Sequence, residues 1–233
     1  MLTEVIIVKT VILACQTIKD ELELVMKASA LIYPVVYLES GLHNSPDLLR
    51  DKVQEQVDAL DADIILMAFG CCGNGLVGIK SAKAKLVIPR IDDCITMLLG
   101  STETRRSIPN AISTYFLTKG WLDPAGNIMW SYLSWVERYG EQKALRIVKK
   151  MLNNYTRFMI IDTGAYKIEN ILPAIRDSCE KFNMHYDVIP GSLHLLRKLL
   201  TPVPWESEFI VCNPGQEITI YDFYPALSPV VAN

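Results

Sequence analysis

The sequence lacks several features that mark common classes of function. Its 23 lysine and arginine residues stand against 26 aspartate and glutamate residues, and no basic stripe is present, which argues against nucleic acid as a partner. No run of 18 or more apolar residues occurs, so no membrane-spanning helix is predicted. Neither a CxxC pair nor an HExxH motif is present, so any metal site must be assembled from distant parts of the chain.

The six cysteines are not spaced like the disulfide framework of a small secreted domain, and a chain of 233 residues does not need such a framework. The apolar amino-terminal run is interrupted by Glu4 and Lys9, so we interpret it as leading into a first strand rather than as a signal peptide. A cytoplasmic location with free thiols is therefore expected. Small molecules and proteins remain as partners, and a homodimer is left open.

Apolar runs alternate with amphipathic helical patterns, which predicts an α/β fold with a doubly wound, largely parallel sheet. In the first half the predicted strands are TVILAC, YPVVYLES, DADIILMAFG and AKLVIPR. From Tyr155 the same alternation returns, with predicted strands in RFMIIDTG, HYDVIPGS and EFIVCNPG. The sequence therefore predicts two Rossmann-like lobes, the first over residues 1–100 and the second over residues 155–233.

Residues 101–154 differ from both lobes because they are rich in aromatic side chains and in helical patterns. The tryptophans and tyrosines here include Trp121, Trp130 and Tyr132. We predict a helical insertion that packs its aromatic residues onto a sheet as a cover. A lid over a site is the alternative.

Reactive side chains follow four successive strands of the first lobe. Cys15 ends the first strand, His43 follows the second, Cys72 the third and Cys94 the fourth. Because ligands bind outside the carboxyl ends of parallel strands, these four residues are expected at one edge of the sheet. Three thiols and an imidazole form a ligand set for zinc, and an iron-sulfur cluster is also consistent with them. Alternatively, the cysteines are buried simply as small hydrophobic residues.

The remaining cysteines are assigned to packing. Cys71 precedes Cys72 directly, and neighbouring residues on an extended chain point to opposite faces, so only one of the two should face the site. Cys72 is the better candidate because it lies beside the glycines. Cys179 falls in a predicted helix and Cys212 inside a predicted strand.

Polar and glycine-rich segments near these strand ends are further candidates. GNGLVG starts at Gly73, and its residues Gly73, Asn74 and Gly75 could bind a cofactor through backbone N–H groups, although the GK[ST] ending of a phosphate-binding loop is missing. A tight turn that lets a ligand approach the backbone is the alternative. Arg90 follows a proline at a strand end, which suits a fixed cation aimed at an anionic substrate, and Asp92 could orient a ligand or bind metal.

Two other predictions concern single positions. Asp93 is expected to cap the helix that starts with CITMLLG. Asp162 and Thr163 occupy the corresponding edge of the second lobe and could bind the polar end of a substrate or cofactor.

The chain resembles the prokaryotic domain-of-unknown-function family 1638 over nearly its whole length. The matching segments are ILAC with KDEL, GLHNSPDLLR, CGNGLVGI, IPRIDDCITMLLGS, YFLTKGW and NYTRFMIIDTG. In the family pattern a histidine stands at the position of Asp92, and a single cysteine stands where this chain has Cys71 and Cys72. Either Asp92 replaces a ligand or the metal differs.

The resemblance implies a context in anaerobic bacteria and methanogenic archaea, often near corrinoid-dependent methyltransferase systems. Such methyl transfer uses thiolate-bound zinc as a Lewis acid, so the resemblance implies a zinc site beside a corrinoid protein, with Arg90 holding the anionic end of the substrate. Arg90 and Asp92 are the candidate catalytic residues. We therefore expect a metalloprotein of anaerobic one-carbon metabolism. A lyase or transferase built on an iron-sulfur cluster and a non-catalytic binder of a cofactor or corrinoid protein are the alternatives.

Overall fold

The computed structural model describes residues 8–122, 127–201, 204–205 and 207–228. The strands in these ranges are β1 (Thr10–Cys15), β2 (Val35–Leu38), β3 (Ile64–Ala68), β4 (Lys85–Pro89), β5 (Thr114–Leu117), β6 (Arg157–Asp162), β7 (His185–Pro190) and β8 (Phe209–Cys212). The helices are α1 (Lys19–Ala28), α2 (Pro46–Ala59), α3 (Cys94–Leu99), α4 (Thr102–Ser107), α5 (Lys119–Leu122), α6 (Ile128–Tyr139), α7 (Glu141–Met151), α8 (Leu172–Phe182), α9 (His194–Leu200) and α10 (Ile220–Phe223). The predicted α/β class with largely parallel sheets is confirmed.

The first sheet has the strand order β2-β1-β3-β4-β8. Strands β1 to β4 are parallel, and they are built from continuous apolar runs because helices cover both faces of such a sheet. The chain passes from β1 to β2 on one side and then to β3 on the other. This reversal places a switch point between the carboxyl ends of β1 and β3, where open parallel sheets bind ligands.

The second sheet has the order β5-β6-β7, and its strands are all parallel. Strand β5 lies within residues 101–154, so the segment predicted to be a purely helical insertion contributes a strand to this sheet. The pattern hid β5 because its four residues lie among other aromatic and loop residues. The predicted helices are present as α6 and α7, where Tyr132 is buried and Trp130 is 49% exposed.

Strand β8 corrects the predicted extent of the second lobe. Residues 155–233 were predicted to form that lobe alone, yet β8 returns to the first sheet and pairs antiparallel with β4. The alternation of apolar residues identifies β8 as a strand, but it does not reveal which neighbour the strand pairs with. The two units are therefore interleaved along the chain.

The two units contact each other at the start of α1. Thr163 donates a hydrogen bond to Glu21, with 2.9 Å between its Oγ1 and Oε1 of Glu21. Lys119 Nζ lies 2.9 Å from Asp20 Oδ2. Gly120 packs so tightly against the first unit that an added Cβ would lie 1.8 Å from the carbonyl oxygen of Thr17. The interface therefore combines polar contacts with direct backbone packing.

Within the described ranges, none of the helices has both the length and the apolar character needed to cross a membrane.

Candidate functional site

A cavity of about 250 Å³ opens at the carboxyl edge of the first sheet, at the switch point. Its walls come from the segments that follow β1, β2, β3 and β4, together with α5 of the second unit. The lining residues are Cys15, Thr17, Glu39, Leu42, His43, Leu49, Phe69, Cys72, Gly73, Asp93, Cys94, Ile95 and Trp121. All four residues predicted as metal ligands are in this set.

Cys15 is the last residue of β1 and is buried. Its Sγ lies 2.9 Å from Oγ1 of Thr17, which follows on a short 3₁₀ turn. Hydrogen bonding from Cys94 and then from Thr17 lowers the pKa of Cys15 to about 7, against the opposing effect of burial. Near neutral pH Cys15 is therefore ionised to a much greater extent than an ordinary cysteine thiol.

Cys94 is the first residue of α3 and is buried between the other two thiols. The pKa of Cys94 is raised well above its ordinary value, chiefly by hydrogen bonding to Cys15, then to Cys72, and by burial. Of these two neighbouring thiols, Cys15 is therefore the more acidic and Cys94 the one that keeps its proton to higher pH.

The start of α3 is fixed by Asp93, and the predicted cap is confirmed. The Asp93 Oδ1 atom accepts a hydrogen bond of 2.8 Å from the backbone N–H of Thr96. The other carboxylate oxygen, Oδ2, lies 2.5 Å from Nη1 of Arg105. Asp93 thus holds both the helix that carries Cys94 and the adjacent α4.

Cys72 is half-buried on the loop after β3, and this loop is bound to the loop after β4 by backbone contacts. The Cys72 N–H donates to the carbonyl of Asp92 at 2.8 Å, and the Cys71 N–H donates to the carbonyl of Ile91 at 2.9 Å. A Cβ at Gly70 would lie 2.5 Å from Cα of Asp93, so only glycine permits this approach. These contacts bring Cys72 to Cys94.

Cys71 faces away from the cavity lining, as expected if only one of the adjacent cysteines faces the site. Its Sγ donates to Oδ1 of Asn74 over 3.5 Å, and burial raises the pKa of its thiol. Cys179 and Cys212 are buried in the cores of the two units.

His43 lies on a 3₁₀ turn, Leu42–Asn44, after β2 and reaches the cavity wall. Burial lowers the pKa of His43, and the nearby charge of Asp93 opposes this shift. The neutral imidazole, which is the form that binds metals, is therefore favoured. In the part of the chain that the structure describes, however, no three or more His, Cys, Asp or Glu side chains are arranged as a group that could hold a metal ion.

Arg90 is not part of the cavity lining. Its Nε donates to the carbonyl of Ser207 at 2.9 Å, and its Nη1 and Nη2 donate to the carbonyls of Asp222 and Phe209. These contacts attach the carboxyl-terminal segment to the end of β4. The sequence predicted that Arg90 anchors an anionic substrate. In the structure its guanidinium is bound by backbone carbonyls of the protein instead.

Asp92 is likewise turned away from the lining. Its Oδ1 accepts a hydrogen bond of 2.8 Å from the hydroxyl of Tyr224, and its backbone carbonyl holds Cys72. The structure therefore connects Asp92 to the site through the loop that carries Cys72, while its proposed direct contact with a metal or ligand stays a prediction.

The glycine-rich segment forms a tight turn. Cys72, Gly73 and Asn74 have φ values of +47°, +65° and +71°, three successive left-handed residues. Gly75 packs against α2, since a Cβ there would lie 2.6 Å from Cδ2 of Leu49. Of the three predicted cofactor-binding residues here, only Gly73 reaches the cavity, and cofactor binding by this segment stays a prediction.

Asp162 and Thr163 do not line the cavity that contains the thiols. They lie at the carboxyl edge of the second sheet, where Asp162 Oδ1 accepts from the N–H of Gly164 at 3.1 Å and Thr163 donates to Glu21. The structure therefore uses Thr163 to join the two units.

Sequence reasoning missed several residues of the site. Thr17 and Glu39 follow β1 and β2 within two residues of a strand end, so the rule that identified the cysteines could have found them. Trp121 was noticed only as an aromatic residue of a cover. Tyr224 could not have been found, since no pattern along the chain connects it to Asp92 132 residues away.

The model of a family described as a protein of unknown function, DUF1638, matches residues 37–200. The chain belongs to this family, as its sequence motifs predicted. The match includes His43, Cys72 and Cys94, whereas Cys15 lies before it. No curated protein and no solved structure gives a significant match to the chain.

Proposed function

We propose that this protein binds a transition metal, zinc in the first place, through the thiols of its cavity, and acts in or beside corrinoid-dependent methyl transfer in anaerobic one-carbon metabolism. One observation carries the proposal. Cys15 at the end of β1, Cys72 on the loop after β3 and Cys94 at the start of α3 all line one cavity at the switch point of the first sheet, with His43 on the wall of the same cavity.

The chemistry of these donors fits zinc. Thiolates and neutral imidazole are its preferred ligands, with Zn–S bonds of about 2.3 Å. Metal binding requires deprotonated thiols, and Cys15 is already more acidic than an ordinary cysteine thiol. His43, Cys72, Cys94 and Cys15 would then be the ligands.

A bound zinc ion would supply a Lewis acid that lowers the pKa of an incoming thiol. The protein's own residues provide the setting for this reaction. Thr17 stabilises the negative charge of Cys15 through its hydrogen bond. Leu49, Phe69 and Trp121 make part of the wall apolar, which limits water at the thiols. The methyl carrier would be a corrinoid bound to a partner protein, a role that rests on the family resemblance.

An iron-sulfur cluster is the second candidate, and the number of thiols favours it. Three cysteines meet in the cavity, and among the described residues the other three lie outside its lining. A cluster held by three cysteines leaves one iron open for substrate, as a lyase or transferase requires.

A non-catalytic binder of a cofactor or of a corrinoid protein is the third candidate. It is favoured by the finding that the described side chains form no ready metal-binding group. Such a protein would keep its partner after the thiols are removed, whereas a metalloprotein would lose its metal.

The test is elemental analysis of protein purified without oxygen, before and after reconstitution with zinc or with iron and sulfide. We expect about one equivalent of zinc, at least a tenfold loss in Cys94→Ser, and no loss in Cys179→Ser, which alters a cysteine of the other core. Absorption near 400 nm with bound iron would favour the cluster instead. Less than about a tenth of an equivalent of any transition metal after reconstitution would contradict both metal proposals.

A further inference from the structure

The charges that line the cavity are of one sign. Glu39 and Asp93 supply carboxylates, while none of the described residues in the lining is a lysine or an arginine. Arg90, which the sequence predicted as the anchor for an anion, is occupied by backbone carbonyls instead. An anionic ligand would therefore enter a cleft with no fixed positive charge to meet it.

The two carboxylates differ in what they have left to offer a ligand. Both oxygens of Asp93 are occupied, Oδ1 by the cap of α3 and Oδ2 by Arg105. Glu39 follows β2 at the exposed rim of the cavity, and within the described ranges it forms no hydrogen bond or ion pair. The pKa of Lys52, an exposed residue of α2, is raised chiefly by Glu55 and to a smaller extent by the charge of Glu39. Glu39 therefore makes no direct contact with a cationic side chain of the described ranges.

The rest of the wall is suited to alkyl groups rather than to a strongly hydrated ion. Trp121 from α5 supplies an indole ring, which is the side chain that attracts organic cations most strongly. Leu42, Leu49 and Ile95 add aliphatic surface. A volume of about 250 Å³ is enough for a molecule of roughly eight non-hydrogen atoms, since a water molecule takes about 30 Å³ of liquid.

We propose that the cavity takes a small organic cation that carries alkyl groups, with its charge beside Glu39 and its alkyl groups against Trp121. The recognition itself needs only the residues of the apo cavity. Any reaction of that ligand rests on the metal function proposed above, and a dication held by three thiolates would carry a net charge of minus one, so the cleft would keep its negative sign.

The direct test compares three ligands of nearly equal shape and different charge. Choline, its neutral isostere 3,3-dimethylbutan-1-ol and the anion 3,3-dimethylbutanoate are titrated into the wild-type protein by calorimetry or by NMR. We expect the cation to bind roughly tenfold more tightly than the neutral isostere, with the anion weakest. Equal binding of the three, tightest binding of the anion, or binding of none of them would overturn the proposal.

Variants then locate the interaction. Glu39→Gln and Trp121→Leu should each weaken choline binding roughly three- to tenfold and leave the neutral isostere little changed. The matched controls are Glu180→Gln, an exposed glutamate of α8, and Trp130→Leu, an exposed tryptophan of α6. Equal effects of the site variants and the control variants would place choline outside this cavity and contradict the proposal.

Metal content measured on the same samples separates this proposal from the previous one. Cation selectivity in a protein without metal would support the cavity assignment and contradict the metal function. Metal binding without charge selectivity would support the metal function and contradict the assignment of the cavity to an organic cation.

Discussion

The carboxyl edges of the two largely parallel sheets differ in what their side chains contact. At the edge of the first sheet, three thiols from separate parts of the chain line an open cavity. At the edge of the second sheet, the polar residues have protein partners, since Thr163 binds Glu21 and the N–H of Ser192 donates to the carbonyl of Leu98 at 2.7 Å. The same topology thus supplies a candidate site in one unit and an interface in the other.

Each edge contains a glycine with no room for a side chain, Gly70 at the first and Gly191 at the second. Replacing each by alanine compares how closely the two edges are packed. Gly70→Ala is expected to have the largest effect, about 3 kcal/mol of destabilisation, because its Cβ would meet the backbone of Asp93 at 2.5 Å. Gly191→Ala at the second edge should cost only about 1 kcal/mol, since the contacts under 3 Å there are side-chain methyl groups of Ile161 and Thr163, each at 2.8 Å.

The free energies of unfolding in urea give the comparison. If Gly70→Ala lowered the free energy of unfolding no more than Gly191→Ala, the loops after β3 and β4 would not pack as closely as the structure indicates. Metal binding should fall with the first variant and remain with the second, because only Gly70 holds the loops of Cys72 and Cys94 together.

The stability of the protein is expected to depend on pH through Glu21, which lies at the interface between the two units. Glu21 is buried, its Oε2 has no hydrogen-bond partner among the described residues, and burial raises its pKa above 4.5. A raised pKa in the folded state means that the contribution of Glu21 to stability is fully present below pH 4.5 and is lost as the pH rises through the folded value. Glu21→Gln, which keeps an acceptor for Thr163, should not show this loss.

Thermal unfolding across pH 4 to 8 measures the difference. We expect Glu21→Gln to gain stability relative to wild type as the pH rises, while Glu23→Gln, an exposed neighbour on α1, should follow wild type. A constant offset between Glu21→Gln and wild type would show that Glu21 does not titrate as proposed.

The smallest expected effect compares one cysteine from each unit in metal-free protein. Cys15, with its pKa of about 7, should react with iodoacetamide near neutral pH, whereas Cys179, whose pKa is raised by burial, should not. Thr17→Val should slow the alkylation of Cys15 about two- to fivefold at pH 7, because one hydrogen bond to the thiolate is lost.

Peptide mass spectrometry reports the two sites separately, and Thr201→Val, an exposed threonine at the end of α9, is the control. Equal rates for Cys15 and Cys179 would contradict the lowered pKa of Cys15.

The sequence was informative where local pattern and topology act together. Apolar runs placed β1 and β3, and the edge rule then brought Cys15 and Cys72 to one cavity. Asp93 was recognised because an N-cap depends only on residues that follow closely. In each case the physical cause lies within a few residues of the feature or follows from parallel strand order.

Features that depend on distant pairing were not predictable in this way. Strand β8 reads equally well as a member of either sheet, because apolar alternation does not name a neighbour. From the sequence Arg90 is expected to be a free cation, but in the structure it donates to the carbonyls of Ser207 and Phe209, which lie 117 and 119 residues away along the chain. The interface role of Glu21 requires both units to be folded. Long-range contacts therefore decide the chemistry of individual side chains.

The most direct test of the central claim is X-ray absorption spectroscopy at the zinc edge on protein loaded with one equivalent of zinc without oxygen. We expect the zinc ion to be bound by three sulfurs at about 2.3 Å and one nitrogen at about 2.0 Å, and to lose one sulfur in Cys94→Ser. A shell made only of nitrogen and oxygen, or one unchanged in Cys94→Ser, would contradict it.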